Sequence, residues 1–278
     1  MEERDLEIKF CDFSDGKDLE RLIATQNEVY RQRGLKFTPE DFGYWYADNP
    51  EGRVISFNAM DGDRIVAHEA LVPELMEVDG RTVKCLRSMG SVTLPEYRGR
   101  KLLAILTNKC IEEAQKRGYE FVYGIANGNS IHTFLKYCGF SLVGKLDVKF
   151  GFGKIREPKG KVYRRAWTPE SLAWRTGNPK NFRRGNLVLT RFKPGVSAVM
   201  GTIDESLLDK VPSLKKGCRM AVRLYVGMGA DVPPTFLKVP KFVKHSPFNL
   251  IFRDLTGGQI PQMTSSNLFY QLMDFDVA

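Results

Sequence analysis

The stretch Val92–Leu106, "VTLPEYRGRKLLAIL", sets Arg98, Arg100 and Lys101 in a turn between a strand-like run and an amphipathic helix. A helix N-terminus presents unpaired N–H groups and the positive end of the macrodipole, so an anion placed there is stabilised. Cations at that end oppose the dipole by a few tenths of a kcal/mol to about 1 kcal/mol. Three of them together make sense beside a bound phosphate or pyrophosphate. On the strand before the turn, "CLRSMGSVTL" offers Ser88 and Ser91 as polar groups and contains no carboxylate. His68 and Glu69, adjacent on the preceding strand, point to opposite faces, so one of them and not both can act as a base at a given face. His68 has the suitable intrinsic pKa, although a lone histidine on a half-buried strand is more often a packing residue. Asn127 ends a buried strand where it can bond a ligand. His132 follows beside Asn129 and Ser130, either of which can cap the next helix.

These residues need elements to position them. A first strand is predicted near Ile8–Phe10, then a helix over "KDLERLIATQNEVYRQRG" with Leu19, Leu22, Ile23, Val29 and Tyr30 at helical spacing. Thr38, Pro39 and Asp41 read as a capping box opening a short helix that carries Phe42 to Tyr46. "RVISFNAM", "RIVAHEALV" and "KCLRSMGSVTL", joined by "DGD" and "VDG", predict an antiparallel meander. A helix over "GRKLLAILTNKCIEEAQKRG", a buried strand "YEFVYGIAN", a short helix "SIHTFLKYCG" and a strand "FSLVGKLDVKF" follow. The Gly-, Pro- and Lys-rich run 151–169 is the expected linker. Beyond it come a helix in "PESLAWRTGNP", strands at "NLVLTRF", "VSAVMGTI", "RMAVRLYVG" and "FNLIFRDL", and a last apolar run "NLFYQLMDFDV".

The 278 residues carry 42 Lys+Arg against 33 Asp+Glu, and the net charge of +9 favours anionic partners. The basic residues are scattered with no run of five, which argues against nucleic acid. No apolar run reaches the roughly 20 residues needed to span a bilayer, and the first ten residues do not resemble a secretory signal. Five cysteines without a C-x-x-C pair argue against a disulfide framework or a structural zinc site, and His68, His132 and His245 lack ligand spacing. A cytoplasmic protein with no metal and no membrane insertion is the expectation.

The pattern V-T-x-P-x-Y-R-G-R, then a helix, a strand, N-x-N-S and a helix ending C-G-F resembles the GNAT superfamily of acyl-CoA-dependent N-acyltransferases over roughly Ile55–Phe150. The resemblance implies a mixed sheet that splays at the strand before the turn, with acetyl-CoA or another acyl-CoA wedged in the opening. It places the pyrophosphate on the backbone of Arg98, Gly99, Arg100, Lys101, Leu102 and Leu103, with Leu94 just ahead. Asn127 would meet the pantetheine arm, and N–H groups near Val92 and Thr93 would face the developing oxyanion. The chain departs from the family where glycines are expected at Lys101 and Leu103, and where the tyrosine acid is expected at Leu135; Tyr137 reads as packing. The strand carboxylate of many relatives is also missing.

The segments "FGYWYADNPEG", "SLAWRTGNPKNF" and "SPFNLIFRDL…MDFDV" resemble a bacterial two-domain group that includes N-acyltransferases of nucleotide-linked amino sugars for surface polysaccharide. This implies an α/β mixed-sheet GNAT-like domain over residues 1–153 and a degenerate GNAT-like acceptor domain over 154–278. Trp45, Tyr46, Trp174 and Arg175 become candidates for stacking on a base or pairing with a diphosphate, Trp174 being the one better explained by packing. The expected activity is acyl transfer to the primary amine of a nucleotide-linked amino sugar by direct attack, with Cys85 as the residue that would argue for a covalent route. A peptide or antibiotic amine, and a catalytically silent acyl-CoA-binding module, are the alternatives.

Overall fold

The computed structural model describes residues 6–11, 13, 16–217, 222–239 and 247–275; Cys218 and His245 lie outside them. The meander forms between turns held by left-handed residues, Gly62 in the first and Asp79 and Gly80 in the second. β1 (Glu7–Cys11), α1 (Gly16–Tyr30) and α2 (Pro39–Phe42) lead into β2 (Ile55–Asp61), β3 (Arg64–Val78) and β4 (Arg81–Thr93). The Thr38–Asp41 capping box forms as the sequence predicts, and α2 runs on into a wider turn of helix over Gly43–Ala47. α3 (Leu102–Lys116), β5 (Phe121–Ala126), α4 (Ile131–Tyr137), β6 (Ser141–Lys145) and β7 (Asp147–Gly151) follow. Leu106, Cys110, Ile111 and Ala114 recur at helical spacing and form the buried face of α3.

β8 (Tyr163–Arg165) falls within the expected linker, where it pairs with the end of β3. Then come α5 (Pro169–Thr176), β9 (Asn181–Arg184), β10 (Leu187–Lys193), β11 (Val196–Thr202), α6 (Glu205–Leu208), β12 (Val222–Met228), β13 (Leu237–Lys238), β14 (Asn249–Asp254) and β15 (Leu268–Gln271). All fifteen join one continuous sheet whose main path is β6-β14-β5-β4-β3-β8-β15-β12-β11-β10-β9.

The two halves repeat one scheme. β3–β4 is antiparallel, β4–β5 parallel and β5–β14 antiparallel; β10–β11, β11–β12 and β12–β7 follow the same sequence of directions. Each half therefore receives a closing strand from the other: β14 returns between β5 and β6, while β7 leaves to lie on β12. The expected single strand "FSLVGKLDVKF" is thus two, broken near Gly144 and Leu146, and serves both halves. The second half differs from the first at a definite place. Its helix after the parallel-pairing strand, α6, is a single turn, and the Asp204 carboxylate fills the N-terminus by accepting from Ser206 N–H. No open first turn remains there for a phosphate.

Candidate active site

A defect in the first sheet opens the site. β3 and β4 pair His68 with Val92 and then Ala70 with Met89, so Gly90 and Ser91 stand opposite Glu69 alone as a β-bulge. Gly90 sits at φ 73°, and a Cβ there would come within 2.3 Å of the Tyr46 hydroxyl. Gln26 of α1 fixes the bulge by donating to the Gly90 carbonyl at 2.7 Å. On its other edge β4 pairs with β5 only from Cys85 to Ser88. A cavity of about 800 Å³ occupies the gap beyond, bounded by Gln26, Trp45, Tyr46, Ser88, Ser91, Asn127 and the turn before α3.

The turn leaves its backbone exposed to the cavity. Gly99 and Lys101 both adopt positive φ, 84° and 57°, and α3 starts at Leu102 without a side-chain cap. Arg98, Gly99, Lys101, Leu102 and Leu103 line the cavity, so the unpaired N–H groups of a 15-residue helix open onto it. A Cβ on Gly99 would meet no atom within 4 Å, which leaves the backbone open to close approach. Leu94 N–H bonds the Val66 carbonyl at 2.9 Å; strand alternation therefore turns Thr93 N–H the other way, toward the gap. The expected glycine at Lys101 is explained by backbone conformation: the lysine keeps the left-handed geometry and swings its ammonium out over the Tyr137 ring, 5.3 Å from the centroid. Left-handed backbone costs a non-glycine residue roughly 1–2 kcal/mol. Lys101→Gly should therefore raise the midpoint of urea unfolding and retain acetyl-CoA binding by calorimetry, whereas Gly99→Val should weaken that binding at least about tenfold by blocking the approach of a phosphate.

Ser88 and Ser91 face the cavity, and behind them lies Glu69, wholly buried. Ser88 Oγ donates to one carboxylate oxygen at 2.7 Å and Ser91 Oγ to the other. Burial pushes the Glu69 carboxyl up to about 7, against the two serine hydrogen bonds, which lower it. His68 is corrected: it is fully buried away from the cavity wall, Tyr46 Oη donates to its Nε2 at 3.3 Å, and its Nδ1 donates to Asn58 Oδ1 at 2.7 Å. Burial pulls its pKa down to about 3, so it stays a neutral packing residue.

Other expected residues divide in the same way. Val92, Thr93, Asn127, Trp45 and Tyr46 border the cavity. Ser130 is the N-cap of α4 but makes no side-chain cap bond; the Asn127 Oδ1 instead accepts from the N–H groups of Asn129 and Ser130 in the turn just before the helix. Leu94 is core, packed with Leu102 and Leu106, and Arg100 lies over the Tyr97 ring. Trp174 stacks on Tyr44 and donates Nε1–H to the Tyr44 carbonyl. Arg175 does not reach the cavity; it holds the carbonyls of Met273 and Phe275 at 2.8 and 2.6 Å. That clamp brings in a residue the sequence did not single out, Phe275, as part of the cavity wall. Arg87 and Gln26 were likewise missed. Gln26 carried a usable sign, a polar side chain on the apolar face of α1, whereas nothing local marks Phe275.

Residues 13–143 match the family model of the acetyltransferase (GNAT) domain. Solved structures share the fold over most of the chain. A probable N-acyltransferase of Enterococcus faecalis V583 is 10% identical, with 91% of this chain and 73% of that one covered at a TM-score of 0.59. A GCN5-related N-acetyltransferase from Kribbella flavida is 16% identical, with 90% and 73% covered at 0.58. Eis1 from Mycobacterium abscessus is 9% identical, with 90% and 74% covered at 0.54. No curated protein matches in sequence. The domain match, with its fold, indicates an acyl-CoA-dependent N-acyltransferase. No helix among the described residues is long and apolar enough to cross a membrane, and no group of three potential metal ligands occurs among them.

Proposed function

We propose that the chain moves an acetyl or short acyl group from acyl-CoA to the primary amine of a nucleotide-linked amino sugar. The observation that carries the reading is the division of cavity walls. One wall is the N–H-rich turn from Arg98 to Leu103, suited to a pyrophosphate. The other presents Tyr30, Phe37, Trp45 and Tyr46 with Arg87, and no carboxylate is among the described residues that line the cavity. Aromatic faces suit a stacked base, and a wall without carboxylates suits an acceptor that carries its own negative charge. A polycationic antibiotic amine would instead call for acidic residues.

In this reading the turn and Asn127 hold acyl-CoA, Thr93 N–H faces the oxyanion that develops on the thioester, and the amine attacks the carbonyl carbon directly. Direct attack is supported by the state of Cys85. Its thiol is buried, donates to the Glu74 carbonyl at 3.3 Å and has its pKa pushed up by burial, so it presents no thiolate to a thioester. With acetyl-CoA as donor, thiol release should be at least about tenfold faster in kcat/KM with a UDP-linked amino sugar than with a lysyl peptide or an aminoglycoside, which is the size of a 1.4 kcal/mol preference. An aminoglycoside as the best acceptor would overturn the sugar-nucleotide reading.

A further inference from the structure

The acyl-transfer reading leaves one requirement unmet at the cavity surface. The attacking nitrogen must lose a proton, β4 carries no carboxylate, and no carboxylate is among the described residues that line the cavity. The carboxylate next to the reacting space belongs to β3 and sits one layer back, behind two hydroxyls. We infer that Glu69 is the proton sink of the reaction and works through Ser91, with Ser88 holding the carboxylate in place.

Geometry favours this assignment over a packing role. The β4 bulge sets two residues opposite one on β3, and that one is Glu69. Ser88 and Ser91 are three positions apart, and in an unbulged strand side chains at that spacing point to opposite faces. With the bulge, both hydroxyls converge on one carboxylate, each taking a different oxygen. Gly124 on β5 leaves the room that Ser88 needs: a Cβ there would stand 3.1 Å from the Ser88 Cβ. Among the described residues no Lys or Arg pairs with Glu69, whose two carboxylate oxygens accept from Ser88 and Ser91. The titratable groups near it are the Cys110 thiol of α3, which donates to the Glu69 carbonyl at 3.7 Å, and the Cys138 thiol after α4. Burial raises both thiols, so they stay neutral. His68 faces the other side of β3 and is neutral as well.

The step balances as follows. The amine nitrogen forms its bond to the thioester carbon and one N–H proton passes to Ser91 Oγ. The Ser91 hydroxyl proton passes to Glu69, the C–S bond breaks, and the coenzyme A thiolate leaves. Glu69 releases the proton by the same hydroxyl to water, from which the thiolate is protonated. A buried acid that titrates near neutrality is poised for this exchange, since a base works best with a pKa close to the working pH. The sign follows: the ionised form is the active one, so kcat rises with pH through about 7 and then levels.

The inference rests on the acyl-transfer reading, and the experiment separates the two. Wild type, Glu69→Gln, Ser91→Ala and Ser88→Ala are compared for acetyl-CoA affinity by calorimetry and for thiol release with the best amine among a UDP-linked amino sugar, a lysyl peptide and an aminoglycoside. Glu69→Gln should leave acetyl-CoA affinity within about twofold, lower kcat about 10²-fold and abolish the rise of kcat with pH. Ser91→Ala should lower kcat more than Ser88→Ala does, and it carries the test if the glutamine variant folds poorly. A role in packing alone predicts that kcat and its pH profile survive in Glu69→Gln, and that result would overturn the relay. Wild type that releases no thiol with any amine overturns the acyl-transfer reading itself, and the relay falls with it.

Discussion

Arg165→Met should cost about 3–5 kcal/mol of stability in urea unfolding at pH 7, the cost of stripping one partner from a buried ion network. Arg165 has 2% of its side chain exposed; its Nη2 lies 2.5 Å from Glu51 and its Nε 3.5 Å from Glu74. It also donates to the Leu75 carbonyl and lies over the Trp167 ring. Glu74 holds Arg87 at 2.7 Å and accepts from Tyr123 Oη. Burial raises the Glu51 carboxyl even with the guanidinium beside it. Burial opposes the charge on Arg165 too, yet Glu74 and Glu51 outweigh it and hold the guanidinium above its ordinary range. Removing that charge leaves two carboxylates facing each other in a dry interior. The double variant Arg165→Met, Glu51→Gln should recover part of the loss, because one of the stranded charges goes as well. A loss below about 1 kcal/mol for the single variant would show that the network is solvated.

Gly90→Val should lower kcat about 10³-fold while the protein still folds. The position requires φ 73°, and the new Cβ would overlap the Tyr46 hydroxyl at 2.3 Å. Tyr46 has little room to retreat: it stacks on Phe13 at 4.8 Å, packs against Phe42 and donates to buried His68. The bulge must then shift, and with it Ser91, Thr93 N–H and the start of the turn. A displacement near 1 Å costs about 10²-fold in positioning, and loss of an oxyanion donor costs about 10²–10³-fold. The stability cost should be smaller, about 1–3 kcal/mol for overpacking. Steady-state thiol release together with urea unfolding distinguishes the two effects; unchanged kcat would mean that the bulge does not position the reacting groups.

Both variants act on features that the sequence marked unevenly. The "SMGSVT" run showed a glycine between two serines on a strand, which a bulge explains, but only pairing with β3 shows that the extra residue faces Glu69. The choice between His68 and Glu69 depended on burial and partners. Neighbours on a strand have the same local sequence, and what separates them is which face meets Tyr46 and Asn58 and which meets the serines.

The sequence by itself determined the meander, the capping box at Thr38, the amphipathic α3 and the basic turn before it. These follow from periodicity and from residues that select backbone conformation within a few positions. Tertiary structure decided the rest. It put β14 between β5 and β6 and sent β7 to β12, made part of the expected linker a paired strand, and turned Arg175 from a ligand candidate into the clamp that sets Phe275 in the cavity wall. It also answered the question posed by Lys101, a residue without glycine's freedom that nevertheless holds a left-handed backbone. The physical reason is common to all of these. The Arg175 clamp joins residues 100 positions apart and β5 pairs with β14 across most of the second half, and pairing between such segments depends on the packed sheet, which no local pattern of side chains encodes.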